Sequence, residues 1–225
     1  MCPFCYLGKR KFENALEQFP EKDHIEVVWK SFQLNPNLET NTEISIYEYL
    51  ANIKGFPIEQ AKRLNDQLTN SAKQVGLEYN FDKSVVANTF NAHILLHYAK
   101  ELGKQNEAKE RILKAYFTDG VNVDDIPSLI RLANEIGIDT PDLVSIFENE
   151  DLINAVNNDI YEAQHLGIHG VPFFVFNRKY AVSGAQETEV FLRTLEKSIA
   201  DWRIENPVAK FETIIGDTCN IDGIC

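Results

Sequence analysis

The run Cys2-Pro3-Phe4-Cys5 passes directly into a helical pattern, with Cys5, Gly8, Phe12, Ala15, Leu16 and Phe19 recurring on one face until Pro20 stops it. Proline is tolerated at a first helical position because its missing N–H would have no partner inside the helix. The spacing therefore predicts Cys2 at the N-cap, Pro3 at the first helical position and Cys5 one turn inside. A Cys2 thiolate placed there faces the free amides of Phe4 and Cys5 and the positive end of the helix dipole. That lowers its pKa below the ~8.5 of an ordinary thiol and makes Cys2 the nucleophile. Cys5, expected to face inward and be shielded, is then the resolving thiol that attacks a mixed disulfide on Cys2. Zinc would need further ligands, and the remaining pair, Cys219 and Cys225, has a C-x5-C spacing outside the usual range, so no metal is expected.

Four cysteines in 225 residues with 44% hydrophobic content are too few for a disulfide-stapled scaffold and mark these thiols as chemistry first. The charge balance, 22 basic against 34 acidic residues for a net of -12, argues against nucleic acid and anionic membranes as partners. No stretch approaches the ~18 consecutive apolar residues of a membrane span, and no basic-then-apolar leader opens the chain. A cytoplasmic protein acting on protein or low-molecular-weight thiols is expected, and the oligomeric state is not legible.

Residues 25–34 read as a strand covered on both faces, with Ile25, Val27 and Trp29 alternating with Val28, Phe32 and Leu34. From about 43 to 166 the pattern becomes successive amphipathic helices, around Ile58 to Val75, Ile126 to Ile136, a helix capped by Thr140-Pro141, and Leu152 to Ala163. Strand character returns at 171–176, turns at Asn177-Arg178-Lys179 and resumes at Tyr180 to Ser183, a predicted hairpin. A last helix carries Val190, Phe191, Leu195, Ile199 and Trp202 on one face, and residues 204–225 read as a tail. Pro172, in Gly170-Val171-Pro172-Phe173, reads either as punctuation at a strand start or as a cis proline facing the Cys pair, whose peptide would present the Val171 backbone to a substrate strand.

The segments CPFCYLGK (2–9), SFQLNP (31–36), NTFNAH (88–93) and GIHGVPFFVFNRKYAVSGAQ (167–186) resemble the DsbA family, within it a FrnE-like branch related to 2-hydroxychromene-2-carboxylate isomerases. The resemblance covers most of residues 2–203. It implies an α/β thioredoxin-like fold with a large inserted all-helical domain: a core of 1–38 plus 167–203, a helical insertion at 39–166, and a tail at 204–225. It also implies a cis proline at 172 beside Cys2 and a disulfide oxidoreductase whose redox centre is its own dithiol, with no other cofactor. Phe4, Val171, Asn88, His93 and His169 are the candidate substrate-binding residues. His93 and His97, four apart, are otherwise read as packing rather than metal ligands.

Three departures from the family pattern stand out. The strand that usually precedes the Cys pair is absent, which predicts an open strand edge and reduced stability. Phe4 stands where tryptophan or histidine is common, and His169 precedes the proline loop. Cys219 and Cys225 suggest an auxiliary redox pair exchanging with Cys2 and Cys5. Two other functions fit the same chain: a glutathione-dependent isomerase or transferase with glutathione as cosubstrate, and a non-catalytic, chaperone-like binding domain.

Overall fold

The computed structural model of the protein describes residues 1–139 and 142–207. Its helices are α1 (Pro3–Gln18), α2 (Ile46–Lys54), α3 (Ile58–Gln74), α4 (Phe90–Glu101), α5 (Gln105–Lys114), α6 (Ile126–Glu135), α7 (Glu150–His165) and α8 (Thr188–Glu205). Between α7 and α8 lies an antiparallel hairpin of β1 (Phe173–Phe176) and β2 (Tyr180–Ser183), with Phe174 opposite Val182. Among the described residues no helix is long and apolar enough to cross a membrane.

Local chemistry sets the helix ends. Ser45 and Glu48 form a reciprocal capping box that starts α2, and Gly55 ends it in the left-handed region at φ 68°. Asp125 caps α6 by accepting from the Ser128 amide, and Asn149 caps α7 by accepting from the amides of Asp151 and Leu152. The helix expected from Thr140-Pro141 has its start outside the described residues. Just downstream the chain makes a 3-10 turn, Ser145–Glu148, that buries Ile146 and Phe147.

Two hydrophobic cores result, and α1 joins them. The larger holds the helices between α2 and α7 and takes in Tyr6, while the smaller packs Phe12 and Ala15 of α1 and Phe19 just past its end against Phe176 and Val182 of the hairpin and Phe191 and Leu195 of α8. The helix that starts at the Cys pair is thus gripped from two sides.

Residues 25–34 correct the sequence expectation: the segment is extended but belongs to no sheet. Ile25 and Val27 pack on the smaller core, whereas Val28 and Leu34 are exposed. A strand requires a neighbouring backbone, and side chains of the helical block take that place here. The Gln105 amide accepts from the Trp29 N–H and donates to the Trp29 carbonyl, both at 2.9 Å. Asp159 accepts from the Ser31 N–H at 2.8 Å, and His97 bridges Asp159 and the Ser31 hydroxyl. Lys30 reaches Asp159 at 2.7 Å, and Gln33 donates to Asn88 at 2.9 Å. Between this segment and β1 runs a groove of about 1290 Å³ with Phe12, Val28, Phe174, Leu195 and Ile199 among its walls.

Among the described residues, Gly120 is expected to tolerate no side chain. Gly120 ends the wide turn after α5 at φ 76°, and a Cβ there would meet Lys83 Cβ at 2.5 Å and Lys83 O at 2.6 Å. Gly120→Ala should cost on the order of 3 kcal/mol, since left-handed strain and overpacking add. Gly55→Ala, with the same backbone sign but nothing within 4 Å, should cost only about 1–2 kcal/mol. Urea unfolding of the two variants gives the comparison, and equal losses would show that the Lys83 contact is irrelevant.

Candidate active site

Cys2 is the N-cap of α1, with extended backbone at φ −95° and ψ 117°, and Pro3 follows at the first helical position. Both Cys2 and Cys5 are free thiols. The Cys2 Sγ–H donates to the Val171 carbonyl at 3.4 Å, and Val171-Pro172 is a cis peptide. Pro172 lies against α1 at Gly8, where a Cβ would stand 3.0 Å from Pro172 Cγ and 3.4 Å from Phe174 Cζ. Glycine is therefore the residue that lets the proline loop close on the helix carrying the thiols.

The two thiols differ in acidity. A hydrogen bond from the Cys5 thiol brings Cys2 down from the ordinary thiol range to about 7, against the opposing effect of burial and with help from the amides of Cys5 and Phe4. Cys5 moves the other way, well above the ordinary thiol value, because it donates to Cys2, is buried, and faces the Cys2 charge. The Cys5 thiol is the largest single cause, and the free amides of Cys5 and Phe4 at the helix start act in the direction the sequence suggests. Both thiols are enclosed, as expected for Cys5: Cys2 is a buried residue, and Cys5 keeps its thiol desolvated while part of the residue borders the groove beside α1.

The helix end is held in place by the larger core. The Tyr79 hydroxyl donates to the Pro3 carbonyl at 2.7 Å, and the Tyr6 ring stacks on Tyr79 with centroids 6.0 Å apart. From α5, Glu110 accepts from the Tyr6 hydroxyl, Lys9 Nζ and Arg10 Nη2, each at 2.6 Å. Lys9 is only 1% exposed and also pairs with Glu13 at 2.6 Å. Burial opposes ionisation of Glu110, yet the bonds from Lys9 and Tyr6 hold its carboxyl below the usual range.

Of the residues singled out from the sequence, the fold brings Cys2, Cys5, Val171 and Pro172 together. Phe4 is exposed beside them, and His169 is exposed on the loop ahead of Pro172. Asn88 is occupied internally, donating to the Leu38 carbonyl and accepting from Gln33 and the Phe90 amide. His93 is buried with Nδ1 unpartnered, and burial, followed by the charges of Lys109 and His97, pushes its pKa down to about 3. His97 belongs to the clamp on Ser31. Cys219 and Cys225 lie outside the described residues.

Sequence reasoning did not single out Lys9, Glu110 or Lys109. Lys109 had one signal: it is four residues after Gln105 and four before Leu113, both buried, so it occupies a core register of α5. Lys109 lines the groove together with Cys5.

A family model described as "DSBA-like thioredoxin domain" matches residues 1–196. A Bacillus subtilis (strain 168) protein, "Uncharacterized protein YwbO", is 29% identical over 212 residues, covering 89% of this chain and 92% of its own. Among solved structures, the "probable DsbA oxidoreductase SCO1869" of Streptomyces coelicolor is 34% identical with a TM-score of 0.82, covering 100% of this chain and 94% of its own. A 2-hydroxychromene-2-carboxylate isomerase shares the fold at 14% identity and a TM-score of 0.61, covering 91% of this chain and 93% of its own.

Proposed function

This chain belongs to the DsbA-like thioredoxin-domain family, and from that premise we propose that it is a thiol-disulfide oxidoreductase working through Cys2, Cys5 and the Pro172 loop. The observation that carries the reading is the pairing of Cys2, at a helix start with a pKa of about 7, with Cys5, whose thiol is held protonated. With its pKa brought down to about 7, Cys2 supplies thiolate at neutral pH. It attacks one sulfur of a substrate disulfide, forming a mixed disulfide and expelling the other sulfur as a thiolate that takes a proton from solvent. Cys5 then loses its proton and attacks the Cys2 sulfur, which joins Cys2 to Cys5 and releases the second substrate thiol. The substrate leaves reduced by two electrons and the protein leaves oxidised, and the reverse sequence donates a disulfide.

Val171 supplies the backbone beside the reacting sulfur, and the apolar groove reached from Cys5 suits an extended polypeptide. The redox equivalents reside in the dithiol, so the reading requires no separate cofactor. Reduction of insulin disulfides in dithiothreitol tests it: catalytic quantities of the protein should shorten the lag before insulin precipitates. No acceleration with insulin, together with turnover only when glutathione is supplied as cosubstrate, would favour the isomerase or transferase reading instead.

A further inference from the structure

We infer that Lys109 is the base that takes the proton from Cys5 when Cys5 resolves a mixed disulfide on Cys2, an inference that rests on the dithiol reading above. The position comes first. Lys109 stands on the buried register of α5 and shares the groove wall with Cys5. The next residue, Glu110, is fixed to α1 by Tyr6, Lys9 and Arg10, which pins this part of α5 against the helix that carries the thiols.

The partners come second. Among the described residues no hydrogen bond or ion pair engages the Lys109 amine, while the carboxylate next to it in sequence is committed to donors from α1. The titratable groups that face it are Cys2, Cys5 and Lys9 from α1 and His93 from α4, with the Met1 amino group beside the two thiols. A lysine buried without a carboxylate loses its proton readily. Burial lowers the pKa of Lys109 first, the Lys9 charge lowers it further, and only the thiolates of Cys5 and Cys2 pull the other way.

In the mixed disulfide Cys2 carries no charge, so one of those two supports for an ammonium disappears just when Cys5 must ionise. The step then balances. The Cys5 thiol gives its proton to the unprotonated fraction of the Lys109 amine, yielding a thiolate and an ammonium. The thiolate forms a bond to Cys2 Sγ as the bond from Cys2 to the substrate sulfur breaks, and the departing substrate thiolate collects a proton from Lys109 or solvent. Neighbouring groups serve less well. His93, held near 3, is a weak base, and Lys9 is bound to Glu13 and Glu110.

Stopped-flow reaction of the full reduced chain with an aromatic disulfide whose thiolate is coloured separates the two steps. The first equivalent released reports attack by Cys2, and the second reports resolution by Cys5. Lys109→Met should leave the first phase within ~3-fold of the parent and slow the second ~100-fold at neutral pH, with the deficit shrinking as pH rises. Lys109→Arg places a permanent cation at the same position and cannot accept a proton at that pH, so its second phase should remain slow, and it preserves the test should the methionine variant not fold. A second phase at the parent rate in Lys109→Met, or full recovery of that rate in Lys109→Arg, overturns the assignment. Absence of a first phase in the unaltered protein would instead overturn the dithiol reading itself.

Discussion

Cys2→Ser should reduce catalysed insulin reduction to the rate of dithiothreitol alone. A loss on the order of 10³-fold or more is expected, because a covalent mechanism without its nucleophile retains only binding. The fold should survive, since Cys2 donates just one weak bond, to Val171. Cys5→Ala should behave differently. Attack by Cys2 persists, but the mixed disulfide accumulates and is visible by mass spectrometry as an adduct on Cys2. The Cys5 thiol is also the main group holding Cys2 acidic, so the pKa of Cys2 should rise in this variant, and each unit of rise removes about tenfold of thiolate at a pH below it. A Cys2→Ser protein with parent activity would place the chemistry elsewhere.

A large effect on stability is also expected at Glu110. Glu110→Ala removes the acceptor shared by Tyr6, Lys9 and Arg10 and leaves the buried Lys9 ammonium with Glu13 alone. Breaking a buried ion pair by deleting one partner costs about 3–5 kcal/mol, and the remaining Glu13 contact argues for about 3. Urea midpoints with an unchanged m-value would give the figure directly. The pH dependence has a definite sign. Because the folded Glu110 carboxyl lies below its ordinary value, its contribution is present above the unfolded value of ~4.3 and is lost as pH falls through the lower folded one. The variant should therefore show less acid destabilisation in that window than the parent. A loss under about 1 kcal/mol would mean that the cluster is an ordinary surface contact.

Much of this architecture was legible because its causes are local. Pro3 after Cys2 marks a helix start, the alternation around Asn177-Arg178 marks a hairpin, and the apolar spacing of Ile58 to Ala72 marks α3. Segment 25–34 departs from its sequence expectation for a physical reason. Its composition encodes extended backbone and partial burial, but strand pairing depends on a neighbour, and the neighbours are the side chains of Gln105 and Asp159. The groove that Cys5 borders was equally invisible, since it is built by residues distant in sequence. Pro172 illustrates the opposite case. Its sequence context points to the Cys pair, while the glycine that permits the contact, Gly8, reads only as one member of a helix face. Lys109 and Glu110 show the limit of charge patterning: neighbours on one helix, one ties α5 to α1 and the other lines the groove beside Cys5.

The pH dependence of alkylation of the reduced protein, with each modified cysteine identified by mass spectrometry, bears most directly on a dithiol with divided roles. Cys2 should be labelled first, with a rate midpoint at about 7. That rate should rise about tenfold between roughly pH 6 and pH 8, as the thiolate fraction does for such a pKa, while Cys5 stays unlabelled until strongly alkaline pH. Faster labelling of Cys5, or a Cys2 midpoint at or above the ~8.5 of an unperturbed thiol, would contradict the assignment.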